Sequence, residues 1–469
     1  MRKIAVIGLG NIGLPNAVFL SGYVGYKVIG IDIDQEKIDR LKQGKVDDYI
    51  SNEDVKKYFY EAYKKNLLEL HSDYSVINDN YDIDFYIIHV NAPFSPLGAQ
   101  QDLAALYSAL NSIIKNNSGD ESYKKMRIMI RTTLLPGTMN IISRYIKKIM
   151  SHRNISLTYV PEFAREHSVF SDLITPHRIV IGCEDEISCS ESREFFEEIY
   201  VKKLGQEISI HEMSFTEAEL TKYLSNIFLA LKISYANMIA AICERLKCDS
   251  YKIAEALGSD PRIGRKYLTP GLGFGGPCLP RDLASFIFYL TELDMDQKLK
   301  REILRLYRSI FSINKWSIDR VVELVSSLAR KDLIEISVIG VAYAPGSDDV
   351  RNSPSIELIK KLLRRGYLVK IFDPIEKALI NAKKILGDSV MYCKSLEECA
   401  DADIMIIATD LSKYDINNLI NIFRSVRDRI VIDAKGSLHK LKSLLQKENI
   451  RIATIDEDLD KISDQQPSI

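Results

Sequence analysis

The sequence has almost no excess charge of either sign. Sixty-three lysines and arginines stand against 64 aspartates and glutamates, a net of −1. No electrostatic argument therefore exists for a nucleic acid or an anionic membrane as partner. The seven cysteines are odd in number and none forms a C-x-x-C pair. That argues against a zinc knuckle or a disulfide frame, and for a reducing, cytoplasmic setting. No metal is expected. The first apolar run, MRKIAVIGLG, is too short for a signal peptide and reads as a strand. One stretch, 223–243, approaches membrane-span length, but Lys232 interrupts it, so a buried helix is expected. At 469 residues the chain is too long for one core, and two or three domains are expected.

What is present begins with a glycine fingerprint. Residues 3–9 form a short apolar run, and glycines follow at 8, 10 and 13 in G-x-G-x-x-G spacing. An apolar periodic segment, a second strand and Asp32 come next, which is the context such a fingerprint requires. Glycines let the turn approach a pyrophosphate, whose charge sits at a helix N-terminus. Asp32 would accept from a ribose 2′-hydroxyl and repel a 2′-phosphate, which favours NAD over NADP. Residues 39–70 are charged and helical in pattern. Strands are expected at 84–90, 127–131 and 157–160, with a helix at 102–115 and a closing strand at 178–182. Thr132, Thr133, Gly137 and Thr138 follow a strand end, where ligands of open parallel sheets sit. For any one of them a turn or capping role is the commoner use. Glu162 and Glu166, four apart, could include a base, although the segment alone reads better as helix-surface charge.

Between 214 and 248 there is no glycine or proline, and Leu220, Leu224, Ile227 and Leu231 recur at helical spacing. A long, largely buried helix is expected. Lys222 and Asn226 share one of its faces and could stabilise a developing oxyanion. The segment GLGFGGPCLPRD at 271–282 then places Cys278 after four glycines. Pro280 suits the first position of a helix over 281–293. Cys278 would sit at that helix's N-terminus, where the dipole favours thiolate, with Asp282 one turn on. Taken alone, a tight turn around an inert buried cysteine is the commoner arrangement. From 336 the α/β rhythm returns without a second glycine fingerprint, and Asp348, Asp349 and Arg351 follow its first strand. They could clamp a ligand or bridge to one another. The polar tail after 459 reads as disordered.

Several motifs in order make a resemblance. They are GLGNIGLP at 8–15, TTLLPGT at 132–138, PEFARE at 161–166, EAELTKYLSN at 217–226, GFGGPCLPRD at 273–282 and SDDVRNSP at 347–354. The chain resembles the UDP-glucose/GDP-mannose dehydrogenases over nearly its whole length. That likeness implies an α/β fold of two Rossmann-like parallel-sheet domains joined by a long helical dimerisation segment. Its parts would be an NAD-binding domain at 1–210, a helical segment with the cysteine loop at 211–325, and a nucleotide-sugar domain at 326–469. It implies oxidation of a sugar C6 from alcohol to acid in two hydride transfers to NAD, by a homodimer or higher homo-oligomer. Cys278 would carry a thiohemiacetal and then a thioester. Lys222 and Asn226 would hold the oxyanion. Asp282, with Lys222 and a water supported by Thr133, would handle the alcohol proton, and Glu162 would be the hydrolytic base. NAD would contact Gly8, Gly10, Asn11, Ile12, Gly13, Asp32, Thr133, Glu166 and Arg351. The sugar nucleotide would contact Glu162, Lys222, Asn226, Arg262, Tyr267, Gly275 and Cys278, with Arg262 reaching across the dimer.

The chain departs from the family pattern in places. KVDDYISNEDV stands where P-x-x-E-P-G-L is usual, and Val90-Asn91-Ala92-Pro93 where V-G-T-P is usual. Ala344 replaces a substrate-facing lysine, and Pro277 stands before the nucleophile. The hexosamine-oxidising branch usually has histidine there. UDP-glucose is favoured, with GDP-mannose second. A non-catalytic nucleotide-sugar or NAD sensor is the reading from another class, and the retained Cys278, Lys222, Asn226 and Asp282 count against it. A two-electron 3-hydroxyacid dehydrogenase would usually lack both the thiol loop and the third domain.

Overall fold

The computed structural model describes residues 1–50, 52–78, 82–94, 101–117, 125–150, 154–165, 168–329 and 334–458. The chain divides into two compact units, Met1–Leu224 and Ser225–Ile469.

The first unit is a sheet of eight strands: β1 Lys3–Ile7, β2 Lys27–Ile31, β3 Leu68–His71, β4 Phe85–Ile88, β5 Met126–Ile130, β6 Ile155–Tyr159, β7 Ile179–Cys183 and β8 Ile210–Ser214. Their order is β3-β2-β1-β4-β5-β6-β7-β8. The first six are parallel and follow the dinucleotide-binding arrangement. Successive side chains of a strand point to opposite faces. Ile4 and Val6 accordingly enter one core with Val28, Phe85 and Ile87. Ala5 and Ile7 enter another with Ile29, Ile31, Tyr86 and Ile88. Both faces are covered, so the strands read as continuous apolar runs.

The structure corrects three expectations here. The 39–70 stretch is not all helix: helices Gln35–Lys42 and Glu53–Lys64 lead into β3. The sheet is not wholly parallel, because β7 runs antiparallel to β6. Among the described residues the α-helix between them is the six-residue Val169–Ile174, too short for a crossover. The unit closes on β8, which pairs parallel to β7. The cysteine spacing also gave no sign that Cys183 at the end of β7 and Cys189 in the following helix are neighbours, their Cα atoms 5.6 Å apart.

Helix Phe215–Leu246 runs 32 residues. It is long and apolar enough to cross a membrane, but half of its most apolar window is buried inside the folded chain. Its burial differs from the expected stripe. Ile227 is buried, but Leu224 is exposed, together with Phe228, Tyr235, Ile242 and Leu246. The buried side carries Glu219, Lys222, Asn226, Ser234 and Asn237 among Tyr223, Ile227, Ile239 and alanines.

The second unit continues with helices Ser250–Ser259, Leu279–Glu292 and Gln297–Leu328. Then come β9 Glu335–Ile339, β10 Leu368–Phe372, β11 Met391–Tyr392, β12 Ile404–Ile407, β13 Ile430–Asp433 and β14 Arg451–Thr454. All their pairings are parallel, in the order β11-β10-β9-β12-β13-β14. This repeats the strand order of the first unit. The short β11 and β14 carry no apolar run that would announce them. The tail after 459 lies outside the described residues.

The turn after β13 hangs on one carboxylate. Asp433 is fully buried and accepts from the backbone N–H groups of Lys435, Gly436, Ser437 and Leu438 at 3.2, 2.8, 3.1 and 2.8 Å. Asp433→Ala strands those donors. It should destabilise the second unit by about 3 kcal/mol, with Asp433→Asn intermediate. Calorimetric unfolding checks this, and a loss for the alanine variant below about 1 kcal/mol would refute the account.

Candidate active site

Cys278 is exposed and is the N-cap residue of helix Leu279–Glu292. Pro280 takes the second helical position, one later than expected. The Asp282 N–H closes the first turn onto the Cys278 carbonyl at 2.8 Å. The thiol therefore stands at the positive end of a helix, an environment that favours thiolate. Beneath it Asp282 is fully buried with both oxygens engaged. Asn226 Nδ2 donates to Oδ2 at 2.6 Å, and Arg281 Nε to Oδ1 at 2.9 Å. The structure thus brings Asn226, Cys278 and Asp282 together. An amide nitrogen has two hydrogens, so Asn226 can hold Asp282 and still donate to an oxyanion. Arg281 was not anticipated, although it stands in the same CLPRD run.

The remaining proposed chemical groups lie in the first unit. Lys222 is one helical turn before Asn226 and is buried, with Nζ 5.2 Å from the centre of the Phe163 ring. Arg178 lies over the same ring at 4.3 Å. Phe163 comes from PEFARE, whose Glu162 is tightly held. Its Oε1 accepts from the N–H groups of Phe163 and Ala164 at 3.0 Å, and its Oε2 lies 2.9 Å from the Arg131 guanidinium. Glu166 lies outside the described residues. Thr133 is half-buried in a turn clamped by Gln101, which donates to the Thr133 carbonyl at 2.7 Å and accepts from Leu135 N–H at 3.1 Å.

Glu219 was also missed, though it sits within the quoted EAELTKYLSN. It is fully buried and accepts from Gly137 and Met139 N–H at 2.6 and 2.7 Å, tying Lys222's helix to the TTLLPGT turn. The signal was a glutamate among residues of a helix face that had to be buried.

At the glycine fingerprint, a Cβ on Gly13 would lie 1.8 Å from the Gly8 carbonyl oxygen, while one on Gly10 would meet nothing within 4 Å. Gly8 itself has φ +87°. Gly10 and Asn11 are exposed and Ile12 is half-buried on the same turn. Asp32 follows β2, and its Oδ2 accepts from Leu9 N–H at 2.8 Å and pairs with Lys37 at 2.9 Å. The remaining sequence candidates lie elsewhere in the second unit. Arg262 has an 87% exposed side chain paired with Asp260, and Tyr267 has φ +65°. Arg351 pairs with Asp349 at 2.6 Å, and Asp348 pairs with Lys377 at 3.1 Å.

Comparison with known proteins now bears on these motifs. Residues 2–202 match the NAD binding domain of the UDP-glucose/GDP-mannose dehydrogenase family, residues 216–308 its central domain and residues 337–440 its UDP binding domain. The chain belongs to that family. It is 33% identical to a UDP-glucose 6-dehydrogenase of Rickettsia typhi over 93% of this chain and 95% of that one. It is 30% identical to UDP-glucose 6-dehydrogenase TuaD of Bacillus subtilis over 93% and 89%. A solved UDP-glucose dehydrogenase from Pyrobaculum islandicum superposes with a TM-score of 0.79 at 28% identity, covering 97% and 98% of the two chains.

The protein is thus an NAD-dependent nucleotide-sugar dehydrogenase by family, and its own residues fit the cofactor. Gly8 and Gly13 close the turn so tightly that no side chain fits between them, and Gly10 leaves its outer side open. Asp32 uses three acceptor sites, for Leu9, Asp34 and Lys37, out of about four on a carboxylate. One lone pair stays for a ribose hydroxyl. His89, at the end of β4, packs under Gly8 and Gly13. Burial and then the Arg131 charge push its pKa well below the ordinary value, so it is neutral there.

Burial pushes Glu219 up to about 7, against the pull of its two N–H donors. The folded protein then keeps a proton that the unfolded chain loses from about pH 4.5 upward. The stabilisation is complete below that pH and is lost as pH rises through 7. A raise of this size is worth roughly 3 kcal/mol. Glu219→Gln, which does not titrate, should therefore flatten the fall of stability between pH 5 and 8. Urea unfolding at several pH values tests it, and equal slopes for the two proteins would contradict the raised pKa.

Proposed function

We propose that the protein oxidises C6 of UDP-glucose to the carboxylate, giving UDP-glucuronate, through a covalent step at Cys278. The observation that carries this is the exposed cysteine at the N-cap of a helix whose first turn holds Asp282, buried and bonded to Asn226. NAD, when bound, accepts a hydride in each of two steps. Asp282 and Lys222 take the alcohol proton through a water held near Thr133. Cys278 adds to the aldehyde carbon, and Asn226 and Lys222 hold the oxyanion of the thiohemiacetal. Loss of the second hydride leaves a thioester. Glu162 directs water to it, which releases the acid and restores the thiol. A sugar-nucleotide sensor would have no use for the thiol.

The family match to a UDP binding domain and the relatives' names support UDP-glucose, and Pro277 before the nucleophile weighs against a hexosamine. GDP-mannose is the second reading, left open because Ala344 stands where a substrate-facing lysine is usual. Arg351 and Tyr267 are assigned to cofactor and substrate respectively. The same reading makes the protein a homodimer. Phe228, Tyr235 and Ile242 recur every seven residues on the exposed side of helix Phe215–Leu246, the spacing of a helix-on-helix seam. Arg262, on the surface, would then reach the partner's substrate.

Two measurements test these assignments. NADH formed per UDP-glucose consumed should be two, and Cys278→Ala should bind NAD normally yet make no acid. One NADH per sugar, or normal turnover by the variant, would remove Cys278 from the mechanism. Phe228→Glu should shift the particle to a monomer in light scattering and lower activity at least about tenfold, the scale of a misplaced substrate contact. An unchanged mass would place the interface elsewhere.

A further inference from the structure

The loop presenting Cys278 has few side chains with which to hold its own shape. Positions 271, 273, 275 and 276 are glycine. Leu272 N–H donates to the Ala434 carbonyl at 2.9 Å, and three asparagines hold the loop from outside as well. Asn237, on helix Phe215–Leu246, accepts from Gly271 N–H at 2.8 Å. Asn314, on helix Gln297–Leu328, accepts from Phe274 N–H at 2.7 Å and donates to the Phe274 carbonyl at 3.0 Å. Asn352 Nδ2 donates to the Gly276 carbonyl at 3.2 Å, two residues before the thiol.

Asn352 differs from the other two in where it comes from. It lies in the stretch matching the UDP binding domain, on the turn that follows β9. That turn is internally braced. Tyr343 N–H donates to the Asp349 carbonyl at 3.0 Å, Ser353 Oγ to the Val341 carbonyl at 2.7 Å, and Arg351 is fixed on Asp349. Asn352 itself has φ +49°, the left-handed region that asparagine tolerates better than most residues. The approach to the loop is close. A Cβ on Gly275 would lie 2.2 Å from the Asn352 carbonyl oxygen and 2.6 Å from Pro354 Cδ. One on Gly276 would lie 2.7 Å from the Tyr343 ring. Glycine at 275 and 276 is therefore required by this turn.

We propose that Asn352 is a positioning residue for Cys278, fixing Gly276 from the nucleotide-binding side of the unit with the Tyr343 ring packed behind the loop. The inference rests on the reading of Cys278 as nucleophile. It makes the thiol's placement a property of the 343–353 turn as much as of its own helix. Asn352 Nδ2 is a side-chain donor from the turn to the loop, and it can be removed without touching a reacting group.

Two variants isolate the donor. Asn352→Asp keeps the size and the left-handed backbone but sets a carboxylate against a carbonyl. Asn352→Gly keeps the backbone and removes the side chain. Both should lower kcat with UDP-glucose by about 10- to 100-fold, the scale of a misplaced reacting group. KM for the sugar nucleotide and NAD affinity should stay within about twofold, since no binding contact is removed. The rate of iodoacetamide labelling at Cys278, followed by peptide mass spectrometry, should change at least about fivefold as the thiol moves off the helix axis. If either folded variant keeps kcat and the labelling rate within about twofold of the parent, Asn352 is only structural, whatever happens to the melting temperature. Undiminished turnover by Cys278→Ala would instead overturn the nucleophile reading, so the two failures are told apart by different proteins.

Discussion

Backbone N–H and C=O groups that leave a helix or sheet must find partners elsewhere. The glycine loop before Cys278 meets that demand with asparagine side chains, which can donate and accept at once. Asn314 uses both capacities on a single residue, Phe274, and so pins the middle of the loop in one register. The same close approach that supplies these bonds forbids side chains on the loop, since a Cβ at Gly273 would fall 2.1 Å from Asn314 Oδ1. Glycine content and asparagine placement are thus one constraint seen from two sides. A more flexible loop would leave the thiol mobile, and a bulkier one would push the holders away.

Carboxylates play the matching part where turns leave the sheets. In the first unit, Asp32 follows β2 and accepts from Leu9 N–H just beyond β1, while Gly8 N–H donates to Ile31 at 2.8 Å. In the second, Asp373 follows β10 and accepts from Val341 N–H at 2.8 Å just beyond β9, while Gly340 N–H donates to Phe372 at 2.7 Å. Gly8 and Gly340 both have positive φ, +87° and +99°. With the shared strand order, this makes the two units variants of one design. The second has lost the rest of the fingerprint but kept the acid and the first glycine. The turn after β9 thus forms with Ala342 and Pro345 at the positions of the second and third glycines.

Much of this was legible in the sequence. Buried parallel strands announce themselves as apolar runs, and β1, β2, β4, β5, β9, β10, β12 and β13 were read that way. Cys278 and Asp282 stand within four residues, and Lys222 and Asn226 within one turn, so local spacing sufficed. What escaped was long-range or weakly marked. Asn314 and Asn352 lie 40 and 76 residues from the backbone groups they hold, and an isolated asparagine carries no sign of its partner. Glu219 reads as an ordinary helix-surface acid until the burial of its face is known. The antiparallel β7 has the same apolar pattern as its parallel neighbours, because burial sets the pattern and direction does not. The cysteine count could not reveal that Cys183 and Cys189 flank one strand-to-helix turn.

Helix Phe215–Leu246 shows why hydrophobic periodicity alone misleads at a functional site. Periodicity assigns apolar residues to the inside, and on most helices that is right. Here Glu219, Lys222, Asn226 and Asn237 are all buried, while Leu224, Phe228, Tyr235 and Ile242 face out. Burying four polar side chains is costly unless each is satisfied. Glu219 and the Asn237 oxygen are matched to backbone N–H groups, Asn226 to Asp282, and Lys222 to the face of Phe163, while the Asn237 amide nitrogen is buried without a partner among the described residues. Each match ties the helix to another part of the chain: the TTLLPGT turn, the glycine loop, the helix after Cys278, and PEFARE. The inner face thus mixes these polar groups with buried Tyr223, Ile227 and Ile239, while a second set of apolar residues faces out. Under the proposed function the buried polar groups position the chemistry, and the exposed apolar set is the proposed dimer seam.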